Sequence, residues 1–538
     1  RVLDEAVLEK LDYAPTRALI LDARKPSSLM QAISMVTRAE DTSSLLTGNG
    51  ELRRAEQLVD GFGIYTRGKS GLLLRIPPEI LIEILSLCCS SGSDLIPGPQ
   101  AELPPLILSR VSRYWRKLVL STPRLWSQFA LDIGYCKPEL LSCYLERSDP
   151  ALLDIQCSDL SGSDPPSFCA DKDAVIYALL SHSKRWRSAT LDLYSPREWK
   201  RALRAFPYTT TSPPSFPNLE ALALWGRAFF TKGPEQDILH RLFPAPQPIN
   251  SVSMAFYQRK PRSDTYIPIN LHPESLTLDD PFREIGMLEI LYRFPQVQEL
   301  IIPYYALTWS SVLQLTIKPE NRFRHEFLTR LSVRFCVGDE DEFYSPYWEE
   351  GSKYSLYLLF RTVTLPALKQ LAVHRHHSQM GCQCRCRHQA KTLVWSWDSD
   401  GFKEMIERSR CTLDRLVLLG IPLRPSEMKR IVLTCSALTT FVYHEDGGME
   451  ATKELLDLLS ERLLPVLRYL GISVVTSEEE EELKLARKFV EVLEARRRMG
   501  LPALELSLDL RRPLSPSTRE ILDGMSREAI SSVLVSVD

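Results

Sequence analysis

Two short stretches carry residue types able to do chemistry. The first is "GIYTRGKS", residues 63–70, which fits the phosphate-loop formula G-x-x-x-x-G-K-[ST]. Such a loop binds phosphate only between a buried strand and a helix whose N-terminus faces the anion. The preceding "ELRRAEQLVD" is charged and helix-like, and only "GLLLRI" separates the loop from Pro77 and Pro78. The stretch therefore reads as a basic linker, with no nucleotide and no other cofactor expected. The second is "HRHHSQMGCQCRCRH", residues 374–388, with His374, His376, His377, Cys382, Cys384, Cys386 and His388. Thiolates and imidazoles are zinc ligands, but C-x-C-x-C is not finger or knuckle spacing and no second cysteine pair completes a tetrahedron. It reads as an exposed insertion loop, so no metal is expected. No G-x-S-x-G elbow, H-E-x-x-H pair or glycine-rich dinucleotide turn occurs, and no catalytic residue is assigned.

The elements around these stretches are more informative. In "LLLRIPPEILIEILSLCC", residues 72–89, Pro77 and Pro78 suit a first helical turn and Glu79 complements the positive end of the helix dipole. The apolar residues then form two stripes, Ile80, Ile84, Leu87 and Leu81, Leu85, Cys88. A surface helix needs only one, so both sides are expected to be covered. After a Pro/Gly/Ser-rich loop, "LILSRVSRYWRKLVLSTPRLW" (106–126) predicts a helix with Val111, Trp115 and Leu118 on one face. A stop and restart follow at Ser121, Thr122 and Pro123.

Together "IPPEILIEIL…VSRYWRKLVLSTPRLW" resembles an F-box, in particular the F-box-like proteins abundant in mushroom-forming fungi. The matching residues are Pro78, Glu79, Ile80, Leu81, Val111, Trp115, Ser121, Thr122, Pro123, Leu125 and Trp126. Ile76 stands near the usual leucine and Ser112 replaces the usual cysteine. The resemblance covers roughly a tenth of the chain. It implies a three-helix module that docks on a Skp-type adaptor and, through it, on a cullin scaffold. The docking residues carried over are Pro77, Pro78, Glu79, Ile80, Leu81, Ile84, Leu85, Val111, Trp115, Leu118 and Trp126.

The remainder repeats Leu-x-x-Leu-x-Leu with apolar substitutes. The middle residues are Leu222, Val252, Leu276, Leu300, Leu331, Leu371, Leu416, Phe441 and Leu470, separated by roughly 24–45 residues, a spacing that fits leucine-rich repeats with insertions. "FPNLEALAL", "FPQVQELII" and "LPALKQLAV" share a Phe/Leu-Pro boundary before the strand. "GFKEMIERS" and "PSEMKRIVLTC" read as intervening helices, and residues 126–193 alternate strand and helix as well. The expected fold class is α/β: a small helical domain, then an irregular solenoid of short parallel strands and helices. The expected domains are 1–70 helical or irregular, 71–126 F-box-like, 127–510 solenoid and 511–538 cap or tail. "TSEEEEELKLARKFVEVLEARRRMG" reads as one helix whose end charges complement its dipole.

Composition limits the alternatives. In 538 residues, 44% are hydrophobic and 25% charged, with net charge −2, so no global basic field points to nucleic acid or anionic lipid. No apolar run reaches the ~18 residues of a membrane span, and the 12 cysteines lack disulfide spacing, which favours cytosol or nucleus.

The F-box resemblance, together with the repeats, implies substrate recognition for a ubiquitin ligase, with no chemistry in the chain itself; a repeat scaffold unconnected to any ligase is the alternative. Strand alternation puts Ala223, Ile301, Ser332, Ala372, Val417, Val442 and Gly471 in one outward column. Trp225, Glu299, Arg330, Arg334, His374, Arg415, His444 and Tyr469 lie beside it. Of these, Trp225, Arg330, Arg334, His374, Arg415, His444 and Tyr469 are the candidate contacts for an acidic or phosphorylated segment of a target protein.

Overall fold

A computed structural model describes residues 77–89, 104–158, 172–193, 199–204, 214–226, 238–239, 241–244, 246–256, 271–279, 287–305, 323–336, 359–376, 397–445, 449–474, 479–509, 515–526 and 533–535. The expected N-terminal segment 1–70, including the Gly-Lys-Ser stretch, lies outside them, as do residues 377–388 of the Cys/His stretch. The chain forms two compact units, Arg1–Trp225 and Gly226–Asp538. It mixes helices with parallel sheet, and no described helix is long and apolar enough to cross a membrane.

The first unit contains helices α1 (Pro78–Cys89), α2 (Pro104–Val111) and α3 (Arg113–Leu120), then a 3-10 turn, Pro123–Trp126. Strand β1 (Gln128–Asp132), α4 (Pro138–Arg147), β2 (Leu153–Ser158), α5 (Lys172–Ser181), β3 (Trp186–Asp192) and β4 (Ala221–Gly226) follow. The strands pair in chain order, all parallel. The expected boundary at 126/127 falls inside this unit, because Leu125 and Trp126 are fully buried beside β1 and α4.

The second unit is a longer parallel sheet. Its strands are β5 (Gln247–Phe256), β6 (Leu271–Asp279), β7 (Glu299–Tyr305), β9 (Arg330–Cys336) and β11 (Gln370–His376), then β12 (Arg415–Leu419), β13 (Thr440–Glu445), β14 (Tyr469–Val474), β15 (Glu505–Asp509) and β16 (Val533–Val535). A separate parallel pair joins β8 (Phe323–Arg324) to β10 (Val363–Thr364). The intervening helices are α6 (Met287–Arg293), α7 (Ser399–Ser409), α8 (Pro425–Thr434), α9 (Glu450–Ser460), α10 (Glu479–Arg498) and α11 (Pro516–Ser526). The alternation thus continues past residue 510, with β16 beside β15.

Register follows hydrophobic alternation. Val252, Leu276, Leu300, Leu331, Leu371, Leu416, Phe441, Leu470 and Leu506 face one another across successive strands, and all are buried. A one-residue slip on any strand would turn its inward side chains out to solvent. The approach to each strand also repeats. The carbonyls of Phe294, Leu365, Cys435 and Leu464 accept from the amides of Val297, Leu368, Leu438 and Leu467, each at 3.2 Å. Just beyond, the carbonyls of Gln298, Thr329, Lys369, Asp414 and Thr439 each accept two consecutive amides of the next strand. Each of these repeats therefore satisfies the next one's entering backbone donors, as a buried chain requires.

The 325–328 turn breaks this rule and uses a side chain. His325 Nδ1 accepts the Leu328 amide at 3.2 Å, so Nε2–H donates to the Phe294 carbonyl at 3.0 Å. Burial holds its pKa below the ordinary histidine value, and protonation would set a second N–H against the Leu328 donor. A depressed histidine contributes stability that is present above its unfolded pKa of about 6.5 and is lost as pH falls through the folded value. Unfolding free energy is therefore expected to fall as pH drops from 7.5 to 5, and His325→Gln should flatten that slope relative to wild type. Equal slopes in denaturant titrations of the two proteins would remove the ring from this role.

Candidate functional site

Helix α1 begins with Pro78 at a position where an amide is not needed, and the Leu81 amide reaches the Pro77 carbonyl at 3.0 Å. Its two stripes divide cleanly. Leu81, Leu85, Cys88 and Cys89 are no more than 3% exposed. Ile80 and Ile84 are half-buried, while Glu79, Glu83 and Leu87 are exposed. One stripe thus packs on the protein, and the other is a part-apolar edge left at the surface.

The segment after the loop is not one helix. Ser112 is extended (φ −157°, ψ 167°), and its hydroxyl accepts the Trp115 amide at 3.1 Å, which caps α3. Val111 therefore ends α2 and does not share a helical face with Trp115 and Leu118, contrary to the sequence reading. All three side chains are half-buried. The expected stop near Ser121 is present: the Ser121 and Thr122 hydroxyls donate to the Leu118 carbonyl at 3.1 and 2.7 Å.

Three expected docking residues turn out to be core. Leu81 and Leu85 are 1% exposed and Trp126 0%. The Trp126 Nε1–H donates to the Val119 carbonyl at 2.9 Å, and its ring meets Tyr144 edge-on at 5.0 Å. The Arg147 guanidinium sits 5.0 Å from the ring centroid. The large ring is consumed in joining the helices to β1 and α4, and it presents nothing to a partner. Arg124 ties the same turn to α1 through Glu83 at 2.7 Å. The outward set that remains is Pro77, Pro78, Glu79, Ile80, Ile84, Val111, Trp115 and Leu118.

In the second unit the residues of the expected column share one register, with Val417 and Gly471 buried and Ile301, Ser332, Ala372 and Val442 half-buried. Ile301, Ser332, Ala372, Val417, Val442 and Gly471 are successive register partners, extended by Thr277 and Ser507. At Gly471 a Cβ would stand 3.2 Å from a Val442 methyl and 3.4 Å from the Tyr469 ring, so glycine lets both close over the floor. One flank is Glu299, Arg330, Gln370, Arg415, Thr440, Tyr469 and Glu505; the other runs Arg334, His374, Leu419, His444 and Ser473.

The chemistry of that flank differs from expectation. Arg330 pairs with Glu299 at 2.5 Å, and Glu299 also accepts from Ser275. Burial and the neighbouring Arg334 push His374 down to about 4, so it is neutral at pH 7 and not a cation. His444 stands on the same flank but is buried, 8% exposed, and offers little surface to a target. Arg415 is exposed, Arg334 and Tyr469 are half-buried, and Trp225, on β4 of the first unit, is 37% exposed. Exposed Lys369 and Arg468 were missed; each follows the buried turn leucine, a signal the alternation rule does not use.

Other polar groups serve the scaffold. Glu445 accepts from the Ala451 and Thr452 amides and the Thr452 hydroxyl, which caps α9, and burial raises its pKa. Buried Arg496 donates to the Leu464 and Leu467 carbonyls, and Glu482 accepts the Ser515 amide. Cys88 and Cys411 are pushed up to about 11 and Cys89, Cys136 and Cys435 to about 12 by burial, so these thiols stay protonated. Among the described residues no cluster of His, Cys, Asp or Glu could hold a metal ion. No family model matches the chain, and no curated protein is significantly similar to it.

Proposed function

We propose that this chain is the substrate-recognition subunit of a Skp–cullin–F-box ubiquitin ligase. The α1–α3 module docks a Skp-type adaptor, and a leucine-rich-repeat-like solenoid reads the target protein. The observation that carries the reading is the division of α1, with Leu81, Leu85 and Cys88 inside and Ile80, Ile84 and Leu87 toward the surface. The free thiols accord with a cytosolic or nuclear site of action. The receptor holds a target lysine near a ubiquitin-conjugating enzyme and acts by effective concentration, without chemistry of its own.

The target-binding role falls to the outward column of the second unit. Its floor is low and in register, and Arg334, Arg415 and Tyr469 stand beside it. Mixed with a purified Skp-type adaptor and cullin, the full chain should elute with both as one complex. Elution of the chain alone would leave the reading of a repeat scaffold without a ligase.

A further inference from the structure

Helix α3 carries a second surface feature that adaptor docking by the α1 stripe does not use. Arg113, Arg116, Lys117 and Leu120 are spaced i, i+3, i+4 and i+7, so they share one helical face. All four are exposed, Leu120 by 40%. Tyr114, Trp115, Leu118 and Val119 take the other side, half-buried or buried. Arg110, also exposed, lies one break upstream on α2. From Pro104 to Ser127 the sequence has no Asp or Glu. Arg124 pairs with Glu83 on α1, whereas Arg110, Arg113, Arg116 and Lys117 have no ion-pair partner among the described residues.

The placement is locally unfavourable. Arg113 is the first residue of α3 and Arg116 lies within its first turn, the positive end of the helix dipole, where carboxylates belong. Like charges spaced three and four apart on one face add to that cost. Lys117, in the last turn, suits the negative end of the dipole, but no described carboxylate offsets Arg113 and Arg116. A local rule broken without internal compensation is expected at a binding surface.

We propose that this face of α3 is an electrostatic docking patch for an acidic protein surface, with Leu120 as the apolar contact at its C-terminal end. The inference rests on the adaptor reading and deepens it: the adaptor surface opposite α3 carries carboxylates, and the patch sets encounter rate and orientation while the Ile80–Ile84 edge sets lifetime. Charges at a rim act chiefly on association, and apolar contacts on dissociation. A membrane is the weaker occupant. A membrane-surface helix needs a broad apolar face turned outward, and here Trp115 and Leu118 face away from the cationic side.

The test is the association kinetics of the full chain with a purified Skp-type adaptor at low and high salt. Arg113→Glu with Arg116→Glu and Lys117→Glu should lower the association rate constant at least about tenfold at low salt. It should leave dissociation within about twofold and flatten the salt dependence. The corresponding triple Gln variant should fall between it and wild type, with circular dichroism unchanged in both. An unchanged association rate with an intact complex would overturn the patch and leave the adaptor reading standing. A wild-type chain that binds no adaptor would overturn both. Sedimentation with phosphatidylserine vesicles that the triple Glu variant loses, with adaptor kinetics unaltered, would assign the face to membrane and reject the proposal.

Discussion

Trp126→Ala is expected to destabilise the first unit by about 3–5 kcal/mol, the range for emptying a buried aromatic site. The indole is 0% exposed, and its loss leaves the Val119 carbonyl without its donor. It also removes the edge contact with Tyr144 and the face over which Arg147 lies. Trp126→Phe should recover part of the packing and none of the hydrogen bond. Because the ring joins helices to strands, the helices and β1–β4 should melt together in the wild type and earlier in the variant. A loss under about 1 kcal/mol in denaturant titration would show that the ring is not the joint described here.

Ile80→Asp with Ile84→Asp is expected to cut affinity for a Skp-type adaptor at least about 100-fold. Each isoleucine removed from water contributes roughly 1.5–3 kcal/mol, and every 1.4 kcal/mol is tenfold. Both side chains are half-buried at the edge of α1, and Leu81 and Leu85 still hold the helix from inside. The variant's far-ultraviolet circular dichroism and the melting of the second unit should therefore match wild type. Leu81→Ala, by contrast, should act on folding first and on binding only as a consequence. Equal adaptor affinity in the Ile80/Ile84 double variant would show that the docking edge lies elsewhere.

Much of the sheet was legible because burial on parallel strands imposes a strict pattern. Val252 through Leu470, read only as the middle residues of a repeat, form one buried column. The same logic was available at "LPALELSLD" and was overlooked; Leu506 continues that column on β15. The break at Ser112 was not legible. Val-Ser-Arg has no proline or glycine, and a serine reads as a cap only once its side chain is seen on the Trp115 amide.

Charge was harder to read than hydrophobicity. The acidic run at the start of α10 does sit at the positive end of its dipole, yet Glu482 and Arg496 turn inward to backbone groups far away in sequence. His374 could meet an acidic segment as a cation only if protonated, and its protonation depends on burial and on Arg334 across the strand pair, which alternation cannot supply. Likewise the two stripes of α1 were plain from spacing, but which one faced inward depended on the helices α2 and α3 and the 3-10 turn it packs with.

The measurement that bears most directly on the central claim is a calorimetric titration of the full chain with a purified Skp-type adaptor at several temperatures. The adaptor reading expects one adaptor per chain, a dissociation constant of about 1 μM or below, and a negative heat-capacity change from burial of the apolar edge. No binding at adaptor concentrations of about 100 μM, or binding without a heat-capacity change, would contradict it.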